Sequence, residues 1–339
     1  MPKFVQIPQE LRLELDRFDS EADQIVRSFI GGLETAPPPA MVYHYSDASG
    51  LRGILESGRL WLSDIFSLND PSELRHGISY VTEMLKERAA YGTAEAKGFS
   101  EHFEHFFLTG LEKTAHYFVL SLSSNGDHLA QWRGYADNCR GYALGFKGKA
   151  LEDAFTRVGD RPIPNNSTHH VNYNDHVYKD IARQLVDRMF PLIVRPRGTG
   201  MDAASKNEYW KALSISISLH TLRLALFFKH EGFKDEHEFR FMHIFPADAP
   251  VAGLQERTRP SGKIVRYLTF DWLKICPDAL KQIMVGPLAD EDYGLPRLPS
   301  ATINMLVQNL RPKRQRDACE ELVARMTEYM SFPDSKRLI

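Results

Sequence analysis

The sequence predicts an α+β fold in which a mostly antiparallel sheet is decorated by added helices. Short strand-like runs recur between residues 41 and 285, one of them alternating cleanly with period two, and helical periodicity fills much of the rest. Of the 339 residues 43% are hydrophobic and 25% charged, enough to bury a sizeable core in one large domain or two.

Leu11, Leu15, Phe18, Ala22, Ile25, Val26 and Phe29 recur at helical spacing and predict an amphipathic helix over 11–30, ending at Gly31-Gly32. Three consecutive prolines in Thr35–Ala40 continue neither a helix nor a central strand, so residues 1–40 read as a helix and a stiff linker. The main domain then spans 41–290. Met41–Tyr45 reads as a strand, followed by a helix capped by Ser46 or Asp47, with Leu51, Ile54 and Leu55 on one face and Gly58 at its end. Arg59–Ser63 is a second strand. Asp70, Pro71 and Glu73 form a helix start with cap, first-turn proline and capping-box acid in order.

Residues 80–111 read as largely helical. Tyr117–Ser123 is a buried strand leading into the polar turn Ser124–Asp127, with a short helical piece over 128–135, a turn at 137–141 and a strand at Tyr142–Phe146. Residues 162–168 read as loop and 171–173 as strand. A helical insert, about 175–228, carries helices at 175–192 and 206–228. Glu236–Phe245 alternates with period two, and strands follow at 263–270 and 282–285. In the helical extension 291–339, Cys319, Leu322, Val323, Met326 and Met330 predict a packed or partner-binding helix over 313–330.

Forty-two Lys+Arg against 44 Asp+Glu give a formal charge of −2, which excludes a histone-like basic protein and an acidic disordered chain. A local basic groove involving Arg183, Arg188, Arg195 and Arg197 remains open as a nucleic-acid surface. Cys139, Cys276 and Cys319 form no C-x-x-C pair, so neither a disulfide framework nor a cysteine zinc site is expected. The N-terminus lacks an apolar signal segment, and the apolar stretch 212–228 is interrupted by His220, Arg223 and serines. The expectation is a soluble cytoplasmic protein with no membrane contact. Phosphate-loop, dinucleotide-fingerprint, zinc-helix and nucleophile-elbow motifs are absent from the sequence.

The strand at Glu236 holds the most informative chemistry. Period two puts Glu236, Glu238 and Arg240 on one face, alternate side chains roughly 7 Å apart, with His237, Phe239, Phe241 and His243 on the other. The plain reading is a solvated, salt-bridged face. The functional reading is a pair of acids around a polarised substrate, with Arg240 keeping one ionised. His44 lies between two tyrosines and needs a partner from elsewhere. Trp132, Arg133 and Tyr135, near Ser121 and Ser123, are either core or the lining of a cleft that stacks a planar ring. The pair His169-His170 reads as loop without further ligands and is discounted as a metal site.

Taken in order, His44-Tyr45-Ser46, Ile54-Leu55 with Gly58, Asn69-Asp70-Pro71-x-Glu73, Ser121-x-Ser123, Trp132-x-x-Tyr135-Ala136 with Gly141 and Phe146, Lys229, and Glu236-x-Glu238-x-Arg240 resemble a bacterial domain family of unknown function. The resemblance covers about 41–286. That family is in turn distantly similar to the ADP-ribosyltransferases, including DNA-modifying toxins. The resemblance implies a split sheet and NAD as substrate. By motif, His44 would bind NAD with Tyr45 and Ser46 beside it, Ser121 or Ser123 would be the middle-strand serine, and Glu236 and Glu238 the catalytic acids beside Arg240. Tyr135 or Phe66 would stack on nicotinamide, and the Glu-x-Glu spacing is similar to that of arginine-modifying members.

The resemblance implies ADP-ribosyl transfer to a macromolecule, nucleic acid or protein, as a bacterial toxin or antiphage effector. Two alternatives stay open. One is a metal-dependent nuclease or other hydrolase using Asp70, Glu73, Glu236 and Glu238. The other is a non-catalytic binding module whose terminal helices dock a partner.

Overall fold

The computed structural model describes residues 7–34, 36–67, 72–110, 115–195, 200–246, 250–259 and 262–289, with side chains described outside 31–34, 72–77, 107–110 and 246. The expected helix starts helix α1 (Gln9–Glu34), but it continues through Gly31-Gly32. Two glycines cost a helix about 2 kcal/mol. Burial of Phe18, Ala22, Val26 and Ile30 against the later helices outweighs that.

Strand β1 (Met41–Ser46) leads to α2 (Ala48–Ser57), whose cap is local chemistry: the Asp47 carboxylate accepts from the Gly50 N–H at 2.7 Å. Gly58 closes the helix at φ +66. After β2 (Leu60–Asp64) come α3 (Ser72–Ala90), α4 (Ala94–Gly110), the long β3 (Ala115–Ser123), α5 (Leu129–Tyr135) and β4 (Tyr142–Lys147). Next are α6 (Gly148–Thr156), a two-residue hairpin of β5 (Arg157–Val158) and β6 (Arg161–Pro162), and β7 (Asn166–His170). The chain continues with α7 (Asp175–Val194), α8 (Ala203–Ala225), β8 (Glu238–Pro246), β9 (Gln255–Thr258), β10 (Ile264–Phe270), α9 (Trp272–Ile275) and β11 (Leu280–Val285).

Among the described residues all strand pairs are antiparallel, and the main sheet curls into a half-barrel. Strand β3 is its hub. One edge of β3 pairs along its whole length with β8, which carries β7 beyond it. The other edge is shared: Ser123 pairs with Tyr43 of β1, whereas Val119 and Phe118 pair with Ser63 and Asp64 of β2. From this split, one arm runs β1–β4–β11 and the other β2–β10–β9.

Both faces of β3 are covered. Tyr117 and Val119, with Met242 of β8, pack under α1, α3, α4, α7 and α8. Phe118, Leu120 and Leu122, with Phe239 and Phe241, pack against α2, α6 and the segment around Trp272. At the Ser121–Ser123 end of β3 the side chains on the helix-covered face turn polar, and the site forms there.

Several local expectations change. Residues 166–170, read as loop and histidine pair, are the strand β7. Its polar Asn-Ser-Thr-His-His sequence has no apolar alternation, and pairing with β8 makes it a strand. Residues 171–173 form no strand; Asn172 makes a single bridge to Phe228. Of the expected basic groove, Arg183, Arg188 and Arg195 each pair with a carboxylate, Asp180, Glu21 and Glu14. Residues 196–199, 68–71 and 290–339 lie outside the described residues, and with them Arg197, the Asp70 cap and the expected helix over 313–330. No helix among the described residues is long and apolar enough to cross a membrane.

Candidate functional site

Where β1 and β2 part along β3, His44 fills the opening: its ring N–H donates to the Ser121 carbonyl. Burial is the main cause that takes the imidazole down to about 4, so it is neutral at physiological pH. With one ring nitrogen donating, the other is an acceptor.

Across β3, the register pairs Ser121 with Arg240 and Ser123 with Glu238, so these four share one sheet face. Glu238 and Arg240 are the expected period-two pair, but they are 5% and 3% exposed, which removes the solvated-face reading. The Arg240 guanidinium grips Glu238 with two bonds, Nε to Oε1 at 2.6 Å and Nη2 to Oε2 at 3.0 Å. Its Nη1 donates to the Leu226 carbonyl at 2.9 Å, just past the end of α8. The Glu238 N–H donates to the Tyr173 phenol oxygen at 3.0 Å.

Glu236 reaches the same place by another route. It ends a 3₁₀ turn, Glu231–Glu236, and His237 follows at φ +47 in the left-handed region, so neither residue is on the strand. The expectation that period two aligns Glu236 with Glu238 is therefore corrected. The turn is tied down from the β3 side: Ser123 Oγ and Gln131 Nε2 both donate to the Glu236 carbonyl, at 2.7 and 3.3 Å. The Ser124 N–H donates to the His237 carbonyl at 2.8 Å.

Lys229 joins the two acids. Its backbone is pinned by Asn172, whose carbonyl accepts the Lys229 N–H at 3.1 Å. Its ammonium donates to Glu236 at 2.5 Å, lies 3.5 Å from Glu238 and rests on the Phe233 ring. The Tyr135 phenol donates to the other Glu236 oxygen at 2.9 Å.

These surroundings push the two carboxyls apart. Burial raises Glu238, but the Arg240 and Lys229 charges and hydrogen bonds from Arg240 and Ser121 outweigh it and bring the carboxyl down to about 2. For Glu236 burial prevails over the Lys229 charge and its carboxyl is raised. Burial also raises the Tyr135 and Tyr173 phenols. Two neighbouring carboxyls with divided proton affinities are the arrangement that separates a fixed anion from a proton carrier.

A cavity of about 190 Å³ opens among these groups. His44, Tyr45, Ser121, Ser123, Tyr135, Glu236, Glu238 and Arg240, all expected from the sequence, line it, together with Tyr43, Leu122, Gln131, Lys229 and Phe233. Ser46 does not line it; it is at the strand end, its carbonyl against Gly141. Tyr45 serves the wall, its phenol donating to the Asn125 carbonyl and accepting from the His128 N–H. Phe66 packs on the helical core, and Trp132 is buried edge-on to Tyr45 with its indole N–H on Asp127. A larger cleft of about 730 Å³ between α1 and α7 contains none of the residues expected at the NAD site, and Arg188 of the expected basic groove lines it.

The sequence marks Lys229 as a motif residue without a role, places Tyr173 only in an expected strand, and singles out neither Gln131 nor Phe233. A lysine closing the apolar run Leu224–Phe228 is the one local signal that marked it. Among the described residues no group of three His, Cys, Asp or Glu side chains could hold a metal ion. Asp70 and the Glu73 side chain, expected ligands of the hydrolase alternative, lie outside the described residues.

Fold and site together define an α+β protein with a buried two-carboxylate, two-cation cluster at the split of an antiparallel sheet. Residues 131–241 match the family model described as protein of unknown function (DUF2971). That span carries Gln131, Tyr135, Lys229, Glu236, Glu238 and Arg240, the charged wall of the cavity, but neither His44 nor the β3 serines. No curated protein and no solved structure matches the chain.

Proposed function

We propose that the cavity is the active site of an ADP-ribosyltransferase-like enzyme that uses NAD to modify a macromolecule. One observation carries the reading: His44, Ser121, Tyr135, Glu236 and Glu238, from four distant chain segments, line one cavity in which the two acids differ in proton affinity. The sequence resemblance supplies the substrate class. A bacterial toxin or antiphage effector is the biological role it favours.

The donor set fits such a substrate. NAD supplies a glycosidic bond whose cleavage builds positive charge on its ribose. Glu238, ionised at any pH well above 2, is the fixed anion that favours that charge. Arg240 holds it in one orientation, so little reorganisation is needed as charge develops. Glu236, with its raised proton affinity, takes the proton of the attacking group. The acceptor nitrogen of His44 and the Ser121 hydroxyl receive and orient hydroxyl groups, and the half-exposed Tyr135 ring offers an aromatic wall.

Nicotinamide release from NAD, with and without cell lysate, tests the proposal. Wild type should turn NAD over, and Glu238→Gln and Glu236→Gln should each lower the rate by roughly 10² to 10⁴. Full activity in both variants, or no NAD binding or turnover by wild type, would overturn it.

A further inference from the structure

The second arm of the split sheet carries another surface. Across β2 and β10, Trp61 pairs with Thr269 and Ser63 with Tyr267; across β10 and β9, Val265 pairs with Arg257. Cross-strand partners share a face. Because Ser63 also pairs with Val119 of β3, Trp61, Tyr267 and Arg257 stand on the same face as Ser121, Glu238 and Arg240.

Trp61 is 39% exposed, stacks on Tyr267 with centroids 4.4 Å apart, and carries the Arg257 guanidinium 4.7 Å over its ring. The hairpin continues this face. The Arg259 N–H donates to the Lys263 carbonyl at 2.9 Å, so the register brings Arg259 and Lys263 to the side of Arg257. The hairpin's acid, Glu256, falls on the opposite face, where Arg266 is paired with Asp64. Burial, then the neighbouring Arg259 charge, lowers the Arg257 guanidinium, and Tyr267 and the Asp47 carboxylate oppose this in part, so Asp47 is the acid nearest this cationic face.

Charge that merely keeps an edge strand from pairing needs no preferred face. Here three cations gather on one face beside an exposed indole, on a chain whose overall charge is −2. Cations flanking an aromatic platform suit a phosphate backbone with unpaired bases.

The geometry points to single-stranded nucleic acid as the ligand of this β2–β10–β9 face, its phosphates on Arg257, Arg259 and Lys263 and a base against the Arg257–Trp61 stack. A duplex is disfavoured, since its bases are already stacked and paired and leave no free base face to set against the stack. The inference rests on the proposed function only in making that strand the group modified; the binding itself needs no NAD.

The test is fluorescence anisotropy of a labelled 12-nucleotide oligo-dT or oligo-U titrated with the full chain without NAD. Three phosphate contacts predict that affinity falls roughly 20-fold between 50 and 200 mM salt. Arg257→Ala with Arg259→Ala should weaken binding at least 10-fold and flatten the salt slope. Arg259→Ala with Lys263→Ala, both at the hairpin end, repeats the test away from the stack, with melting curves confirming the fold. Trp61→Ala should weaken oligonucleotide binding without changing the salt slope.

No binding at 50 mM salt overturns the inference, as do unchanged affinity in both double variants and equal competition by duplex or by poly-glutamate. Glu238→Gln separates the two proposals. Binding that persists in this variant while NAD turnover is lost supports both, and binding by a wild type that never consumes NAD keeps the surface while ending the proposed enzyme.

Discussion

Glu238→Gln removes one charge from a buried four-charge cluster and leaves Arg240 facing an amide. The Glu238 carboxyl is held from its ordinary 4.5 down to about 2, burial being more than reversed by Arg240, Lys229 and their hydrogen bonds. At 1.36 kcal/mol per pH unit, that gap makes the ionised form worth about 3 kcal/mol to the fold. The folded value is below the unfolded one, so this stability is complete above the unfolded value and is lost as the pH falls toward 2. Glu236, raised chiefly by burial, has the opposite sign: its contribution is present at low pH and fades as the pH rises through its folded value. The difference between wild type and Glu238→Gln is dominated by the first term, with a smaller part from Glu236, which the Glu238 charge helps to raise. Urea unfolding should show the variant about 3 kcal/mol less stable at pH 7 from this term, with a pH-independent offset for the unpaired Arg240. The titrating part should shrink to roughly half by pH 3. A difference that stays flat between pH 5 and 3 would refute the charge-cluster argument, as would a variant as stable as wild type at pH 7.

Three further outcomes follow from the same geometry. Tyr135→Phe removes a hydrogen bond that lowers Glu236, so the acid limb of the nicotinamide-release profile should move to higher pH; an unmoved limb rules out Glu236 as the proton acceptor. Ser123→Ala takes away the hydroxyl that holds the Glu236 carbonyl and accepts the Asn125 N–H, and should cost about 1 to 2 kcal/mol in denaturant unfolding. Gly141→Ala places a Cβ 2.2 Å from the Ser46 carbonyl, backbone that cannot turn aside, and should lower stability by about 3 kcal/mol or abolish soluble expression.

Features decided by neighbours in sequence were legible. The Asp47 cap, the Gly58 stop and the alternation of Phe239 and Phe241 against Glu238 and Arg240 each follow from a few adjacent residues. Features decided at long range were not. β7 is a strand because β8 offers an edge, and the burial of Glu238 and Arg240 depends on the Leu226 carbonyl past α8 and on Tyr173, distant in sequence. The extension of period two to Glu236 failed at His237, whose left-handed backbone is held by Ser124 and carries no glycine to announce it. Lys229 is positioned by Asn172, a contact no spacing rule contains.

The split in the sheet ties fold to chemistry. Had β1 continued along β3, strand pairing would have claimed the Ser121 carbonyl and covered the edge where His44 now reaches in. Because β1 and β2 divide that edge, a side chain replaces a strand as hydrogen-bond partner, and a neutral imidazole is fixed across Ser121 from the Glu238–Arg240 pair. The cost falls on β8, which carries two charges inward where its neighbours Phe239 and Phe241 are apolar. Packing alone would be served by an apolar pair at 238 and 240, since a buried ion pair is seldom more stable than well-packed hydrophobic residues. Restoring a continuous apolar face with Glu238→Leu and Arg240→Met should therefore yield a folded protein that is as stable as wild type or more so and lacks the site's chemistry. A fold lost in that double variant would make the cluster a structural necessity and remove the argument that it is kept for function.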